Sequence, residues 1–563
     1  MTEKAPLRPG TTTLDRTIEL GVVVRRGSRA PYRELRWADG EPRVARSDLA
    51  RRRAGLGTRS LLHLAHLTDL QLADTQSPGR LEFLHEHVGR PGFELLLPMF
   101  RPQELLGVHA AEATVAILNG LGASPLSGAP LQVAVTTGDN VDNAQLNELE
   151  RYLALLSGGR VDQRTGGHVY EGPQDGTDLR LWSPDASDDR YQTDYGYPAV
   201  PGLVTASMVP FDARGLSVPW LTAYGNHDGL FQGRSRFDDG VAAVLTGRRK
   251  PLSLRVLPPP DIVRDAMAFL TDDGRTVTPD PRRRSVTRRE FVEAHFSDGG
   301  LPTGHGFTAT NRDDGTAYYV DDSILNVRII TLDSTNPAGA HDGSIGARQM
   351  AWLERRLHEV HSCHLDHLGR WVDGDGPDRL VVLASHHGAD TLTNPTAGRE
   401  SDPCGDEPRL LAPDLLRVLH RFGNVILWLN GHVHRHTVRP HAGPTGGFWE
   451  VTTAAVMDWP CQSRLVEVLE NGDGTLSIVC TVLDHAAPLR SSRLDGLLDL
   501  AAWHRELAAN DPTSVSGAAG RGDRPDRNVE LVLGDPRVGR RGDRLGAAVF
   551  SGAADRSTPA PRV

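Results

Sequence analysis

The sequence predicts an α/β fold, and two observations carry that prediction. Short apolar runs rich in Val, Ile and Leu recur along the chain, and each stops at Asp, Asn or His. Amphipathic stretches of helical spacing lie between several of them. Apolar runs of roughly four to eight residues read as buried strands. Strands alternating with helices argue for a layered α/β domain. Ligands of such sheets bind beyond the carboxyl ends of the strands, which is where the polar residues fall.

In chain order, "SLLHLAHLTD" at 60–69 ends at Asp69, and Gln71 follows two residues later. In an extended chain that spacing would put both side chains on the same side. "ELLGVHAAEATVAILNGLG" at 104–122 is amphipathic and closes on Gly122, a helix stop. "LQVAVTTGDNVDN" ends at Asp139 and Asp142, and "VPWLTAYGNHD" at Asn226, His227 and Asp228. "NVRIITLDSTN" ends at Asp333, before the helical "GARQMAWLERRLHEVHS" with Met350, Leu353 and Leu357 on one face. "RLVVLASHHG" ends at His386 and His387. "APDLLRVLHRFG" is again helical, and "NVILWLNGHVHRH" ends at His432, His434 and His436.

Two long segments interrupt this pattern. Between Asp142 and Gly225 lie 82 residues, where a whole β-α-β unit needs roughly 30. A second interruption covers about 232–317. Insertions so close to site residues either shape a substrate pocket or decorate the surface. The organisation expected is an N-terminal extension over 1–58 packing on the core and a main domain over 59–485, with insertions at about 143–217 and 232–317. After 485 the chain turns to glycine, proline and mixed charge, so 486–563 is expected to be a largely disordered tail.

Composition bounds the function. Of 563 residues 39% are hydrophobic and 24% charged, as in ordinary soluble proteins. The net charge of −10 argues against a nucleic-acid partner, which would require a basic surface. The four cysteines, Cys363, Cys404, Cys461 and Cys480, form no C-x-x-C pair, so neither a disulfide framework nor a thiolate metal site is expected. No apolar run approaches the roughly 18 residues of a membrane span, and no hydrophobic signal segment opens the sequence, so the expected location is cytoplasmic.

The polar residues at the strand ends share a chemistry. Gly-His-x-His at 431–434 is a weak match alone, and Gly-Asn-His-Asp at 225–228 is rarer, on the order of one chance match in two hundred such chains. Their succession, from Asp through Gly-Asp-x-x-Asp, Gly-Asn-His-Asp and His to Gly-His-x-His, each at a strand end, exceeds what composition produces. Two divalent metals about 3.5–4 Å apart need a bridging ligand, which a carboxylate supplies. Nitrogen and oxygen ligands without thiolate favour iron, manganese or zinc. Two imidazoles two residues apart on an extended segment can face the same way. The spare imidazole of Gly-Asn-His-Asp can protonate a leaving group.

These motifs, over 69–434, resemble those of the calcineurin-like metallophosphoesterase superfamily, D-x-H, G-D-x-x-D, G-N-H-D/E, H and G-H-x-H. With "GARQMAWLERRL", "GGFWEVTTAAV" and the N-terminal "TTTLDRTI…GEPRVARSDL", the chain also resembles an actinobacterial subgroup of that superfamily. The resemblance implies a four-layer α/β/β/α sandwich with two long insertions. It implies that Asp69 and His434 hold a first metal, that Asp139 bridges, and that Asn226, His386 and His432 hold a second. His227 would be the general acid, oriented by Asp142. His386 is taken over His387, although Gly388 stands where relatives carry a proline. Gln71 occupies the position of a motif histidine and is a weaker, neutral ligand. Asn143 stands where phosphatase relatives carry a phosphate-binding Arg and is the candidate substrate contact. His341 and His436 are candidate pocket residues but are read first as surface or loop histidines.

The implied activity is hydrolysis of a small-molecule phosphoester, a monoester or a diester, with two divalent ions (Mn, Fe or Zn) and a metal-bridging hydroxide as nucleophile. Gln71 motivates an alternative: a metal-binding pseudoenzyme or phosphate-ligand sensor with weak hydrolysis. An endonuclease of the same fold is disfavoured by the acidic charge.

Overall fold

The computed structural model describes residues 12–51, 59–88, 90–91, 93, 98–255, 270–271, 273–398, 407–514 and 517–538. Two large sheets dominate a mixed α/β structure. The six-stranded sheet has the spatial order Tyr319–Asp321, Val327–Thr331, Leu380–Ala384, Val425–Asn430, Phe448–Thr452, Thr437–His441. The seven-stranded sheet has the order Val44–Arg46, Val529–Gly534, Thr475–Asp484, Gln462–Glu470, Arg59–Leu67, Val133–Thr136, Trp220–Thr222. Four strands in the middle of the first sheet run parallel, as do the last three of the second.

Parallel strands covered on both faces need continuous apolar runs, and the residues of Leu380–Ala384 are all buried. Their alternation assigns the two faces. Val381 and Leu383 pack with Leu353 and Leu357 of the helix Ala347–His358 and with Leu415 and Leu419 of the helix Ala412–Leu419. Leu380, Val382 and Ala384 point the other way, into a core shared with Leu64, Val135 and Val466 of the seven-stranded sheet. The same core takes Val108 and Val115 of the helix Gly107–Leu121, and Leu149 and Leu155 of Leu146–Ser157. That last helix starts at a capping box between Gln145 and Glu148 and stops at Gly158, whose φ is 87°.

The C-terminal segment differs from expectation. The helix Leu497–Ala509 sets Ala501 and Ala502 against Ala113, and the strand Val529–Gly534 pairs with both Thr475–Asp484 and Val44–Arg46. Averaged over the segment, glycine, proline and charge concealed two short apolar stretches, "LLDLAAWHRELAA" and "VELVLG". Residues 539–563 of that expected tail lie outside the described residues. At the other end, Arg16–Arg26 and Pro31–Asp39 form an antiparallel pair, and Tyr32 packs in one cluster with Leu500 and Leu507.

Both interruptions contribute to packing. Phe291, Val292 and Phe307 belong to the core shared by the two sheets, and Trp182, Tyr191 and Tyr197 to the cluster around Tyr32. Behind the strand that ends at Leu67, Asp74 accepts from Thr165 Oγ1 at 2.8 Å and Arg283 Nε at 3.0 Å, joining one residue of each interruption. Cys363, Cys461 and Cys480 are free thiols, and Cys404 lies outside the described residues. Among the described residues no helix is long and apolar enough to cross a membrane.

Candidate metal centre

The strands Arg59–Leu67, Val133–Thr136, Trp220–Thr222, Leu380–Ala384 and Val425–Asn430 end on one side of the molecule, and the motif residues follow them directly. Hydrogen bonds between the two sheets lock these ends together. His386 Nδ1 lies 2.8 Å from the Thr137 carbonyl, and His432 N donates to Asp69 Oδ2 at 3.1 Å. Met457 N donates to the Asp69 carbonyl at 3.2 Å. A side chain at Gly431 would collide with the Thr68 hydroxyl and the Asp69 carboxylate, so this crossing requires glycine.

Asp69, Asp139 and His386 each bring a ligand atom to within 4.8 Å of the others. His386 Nε2 lies 3.1 Å from Asp139 Oδ2 and 3.1 Å from His432 Nδ1, and His434 Nε2 lies 3.2 Å from Asp69 Oδ1. Three buried oxygens of this group, Asp69 Oδ1, Gln71 Oε1 and Asn226 Oδ1, accept no hydrogen bond. Buried acceptors are almost always satisfied, so their concentration here marks a place for a cation. The donor set of carboxylate, carboxamide and imidazole fits a hard or borderline divalent ion. The field agrees: burial opposes charge on His386, yet the Asp139 carboxylate lifts its pKa to about 9. Asp69 and Asp458 likewise lift His434 to about 10 against its burial.

Backbone conformation aims these side chains. Asp69, Gln71, Asp139, His432 and His434 all have left-handed φ, between 40° and 70°. Asp69 and Gln71, and likewise His432 and His434, therefore stand on left-handed backbone rather than on the alternation of an extended strand. Such conformations cost of order 1–3 kcal/mol each and cluster at functional sites.

His386, His387 and His432 also bring ring nitrogens to within 4.8 Å of one another, but His386 and His387 differ in their partners. Both ring nitrogens of His387 are engaged, at 2.8 Å from Ser334 Oγ and 2.8 Å from the His341 carbonyl. His227 Nδ1 sits 2.6 Å from the main-chain carbonyl of Asp142, whereas the nearer carboxylate oxygen is 3.8 Å away. That carboxylate is paired with Arg80, so the carbonyl orients the imidazole. Asn143 is fully buried, and its Oδ1 accepts from Gln232 N at 2.7 Å. It does not line the cavity over the site. His436 is no surface residue: it is buried between Gln462 Oε1 at 3.1 Å and Arg464 Nη2 at 2.9 Å. His341 does line the cavity.

That cavity has a volume of 290 Å³ and is bounded by Gln71, Asp139, Asn226, His227, His432 and His434, with Arg80, Arg101 and Arg234 around them. Sequence reasoning missed Asp458, whose Oδ2 lies 2.6 Å from His434 Nδ1 and whose Oδ1 lies 3.1 Å from Arg101 Nε. No spacing rule isolates it. The one signal is its place in "AAVMDWPC", directly after the strand Phe448–Thr452.

No family profile matches the chain, and no curated protein matches it. Among solved structures it is similar to a dimetal phosphatase from Danio rerio, at 13% identity over 76% of this chain and 100% of that one, with a TM-score of 0.34. It is also similar to the sulfate thiohydrolase SoxB of Thermus thermophilus, at 13% identity over 77% of this chain and 58% of that one, with a TM-score of 0.26. A putative 5′-nucleotidase from Staphylococcus aureus shares 11% identity over 76% of this chain and 55% of that one, with a TM-score of 0.24.

Proposed function

We propose that the chain is a dinuclear-metal-dependent phosphoester hydrolase of the calcineurin-like type, with its helices and two facing sheets in an α/β/β/α sandwich. The observation that carries this reading is the set of three unsatisfied buried oxygens, on Asp69, Gln71 and Asn226, beside imidazoles that crowd the carboxylates of Asp69 and Asp139. Asp69, His434 and Gln71 would hold one ion and Asn226, His386 and His432 the other, with Asp139 between them. Two divalent ions bound there would polarise phosphoryl oxygens and acidify water.

The chain's own groups supply the rest. The Nδ1–H of His227 is committed to the Asp142 carbonyl, so Nε2 is the atom that exchanges a proton with the departing ester oxygen. Asp458 fixes the ring of His434 from behind, and the Thr137 carbonyl does the same for His386. The test is turnover of p-nitrophenyl phosphate with added Mn²⁺, together with metal analysis of the purified protein. Turnover that disappears in His227→Ala while both metals remain supports the reading. Metal binding with no turnover in the wild type leaves the phosphate-sensor alternative.

A further inference from the structure

Three guanidinium groups border the cavity, and two of them are neutralised by acids. Arg80 is paired with Asp142 and, at 2.5 Å, with Glu104; Arg101 is paired with Asp458 at 3.1 Å and Glu104 at 3.4 Å. Arg234 differs. It is only 8% exposed, its Nη1 is buried without a hydrogen-bond partner, and no described carboxylate lies within ion-pairing distance of it. Burial, aided by the charge of Arg101, lowers its pKa to about 10. An unpaired buried cation is costly, and an anion in the cavity would offset that cost.

The local backbone is built to deliver this residue. Gln232 and Gly233 are both left-handed, with φ of 50° and 65°, and they close a turn in which Phe231 N donates to the Ser235 carbonyl at 2.8 Å. A side chain at 233 would collide with the His227 ring, so only glycine lets the turn press against the site. Asn226 Nδ2 donates to the Gly233 carbonyl at 2.9 Å, Gln232 N to Asn143 Oδ1 at 2.7 Å, and Ala340 N to the Arg234 carbonyl at 2.6 Å. Asn143, which the sequence placed against substrate, therefore buttresses the turn that carries Arg234.

We propose that Arg234 binds a non-bridging oxygen of the substrate's phosphoryl group, that Asn143 positions it, and that the preferred substrate is a phosphomonoester dianion. This rests on the hydrolase reading above. A monoester offers two charges and three non-bridging oxygens, whereas a diester offers one charge and two. A planar guanidinium with free N–H groups therefore gains more from the monoester.

The experiment compares wild type, Arg234→Met, Arg234→Lys and Asn143→Ala as full chains with their metals. It measures kcat/KM on p-nitrophenyl phosphate and bis(p-nitrophenyl) phosphate, affinity for inorganic phosphate by calorimetry, metal content, and thermal melting. Arg234→Met should lower kcat/KM on the monoester by about 10²-fold and on the diester by less than about 10-fold, and should weaken phosphate binding by at least about 10-fold. Asn143→Ala should weaken phosphate binding with metal content unchanged. Unchanged phosphate affinity in Arg234→Met, or equal losses on both esters, would overturn the proposal. If the Met variant does not fold, Arg234→Lys decides: a larger loss on the monoester than on the diester supports the proposal, and equal loss rejects it. Phosphate binding that depends on Arg234 in a protein hydrolysing neither ester would refute the hydrolase reading and keep the anion site. Turnover indifferent to Arg234 would do the reverse.

Discussion

The two sheets bring different chemistry to the site and hold it by different means. The seven-stranded sheet supplies the oxygen donors, Asp69, Gln71, Asp139 and Asn226, while the six-stranded sheet supplies the imidazoles of His386, His432 and His434. Three of the oxygen donors have an acceptor with no partner, and left-handed backbone aims Asp69, Gln71 and Asp139 on this side as it aims His432 and His434 on the other. Two of the imidazoles are aimed by a hydrogen bond from behind, to the Thr137 carbonyl and to Asp458. A short carboxylate can be aimed by its own φ and ψ, but an imidazole has a second nitrogen that must be occupied to fix its tautomer and ring plane. The oxygen side carries the unsatisfied acceptors, and the nitrogen side carries the outer support.

That contrast breaks first at Asp139, which faces both groups of ligands. Asp139→Ala should lower turnover by more than about 10³-fold and reduce bound metal from two ions, as read by elemental analysis. Wild-type metal content in this variant would mean that the oxygen side does not share its ions with the nitrogen side.

The scaffold behind the oxygen side should give the next largest effect. Burial by itself would raise the Asp74 carboxyl, but Arg283 and Arg151 overcome it and hold it below its ordinary value. Asp74→Ala leaves the wholly buried Arg283 without its acid and should cost about 3–5 kcal/mol in denaturant unfolding. A depressed carboxyl contributes stability that is present above its unfolded pKa and lost as pH falls through the folded one. The stability gap between wild type and Asp74→Asn should therefore be widest near neutrality and narrow below about pH 4. A gap that stays constant into acid would show that the Asp74 charge contributes nothing.

On the nitrogen side, Asp458→Asn leaves His434 a neutral acceptor and should weaken metal affinity by about 10–100-fold, and because Asp458 also pairs with Arg101 it should lower the melting temperature too. An equal loss of metal in a variant of an exposed carboxylate, such as Asp212, would remove any special role for Asp458. The smallest effect is expected at Gln71. With a neutral carboxamide beside Asp69, the first ion should leave before the second on chelation. Gln71→His should slow that departure by roughly tenfold. Two ions that leave together in both proteins would end this asymmetry.

Much of the candidate site was legible because its candidate ligands sit two to four residues beyond buried strands, and buried parallel strands leave long apolar runs in the sequence. "LTD", "TTGD", "YGNHD", "SHH" and "LNGHVH" each mark such an end. The C-terminal helix and strand were not legible, because their short apolar stretches lie in glycine- and charge-rich surroundings and gain stability from tertiary partners, some of them hundreds of residues away, such as Ala113 and Val44. Asp458, Arg101 and Arg234 share that difficulty, since a lone Asp or Arg has no local pattern.

The sequence by itself determined the α/β class, the order of the strands that bear the site, and the donor atoms available there, since these follow from local apolar runs and residue chemistry. Tertiary structure alone decided which groups support the donors and which face the cavity. It set the main-chain carbonyl of Asp142, not its carboxylate, against His227, and turned Asn143 from a candidate substrate contact into the prop of the turn before Arg234. Local spacing states which atoms a residue carries. Where they point depends on backbone torsions and on charges brought in from distant segments, and only the folded chain sets both.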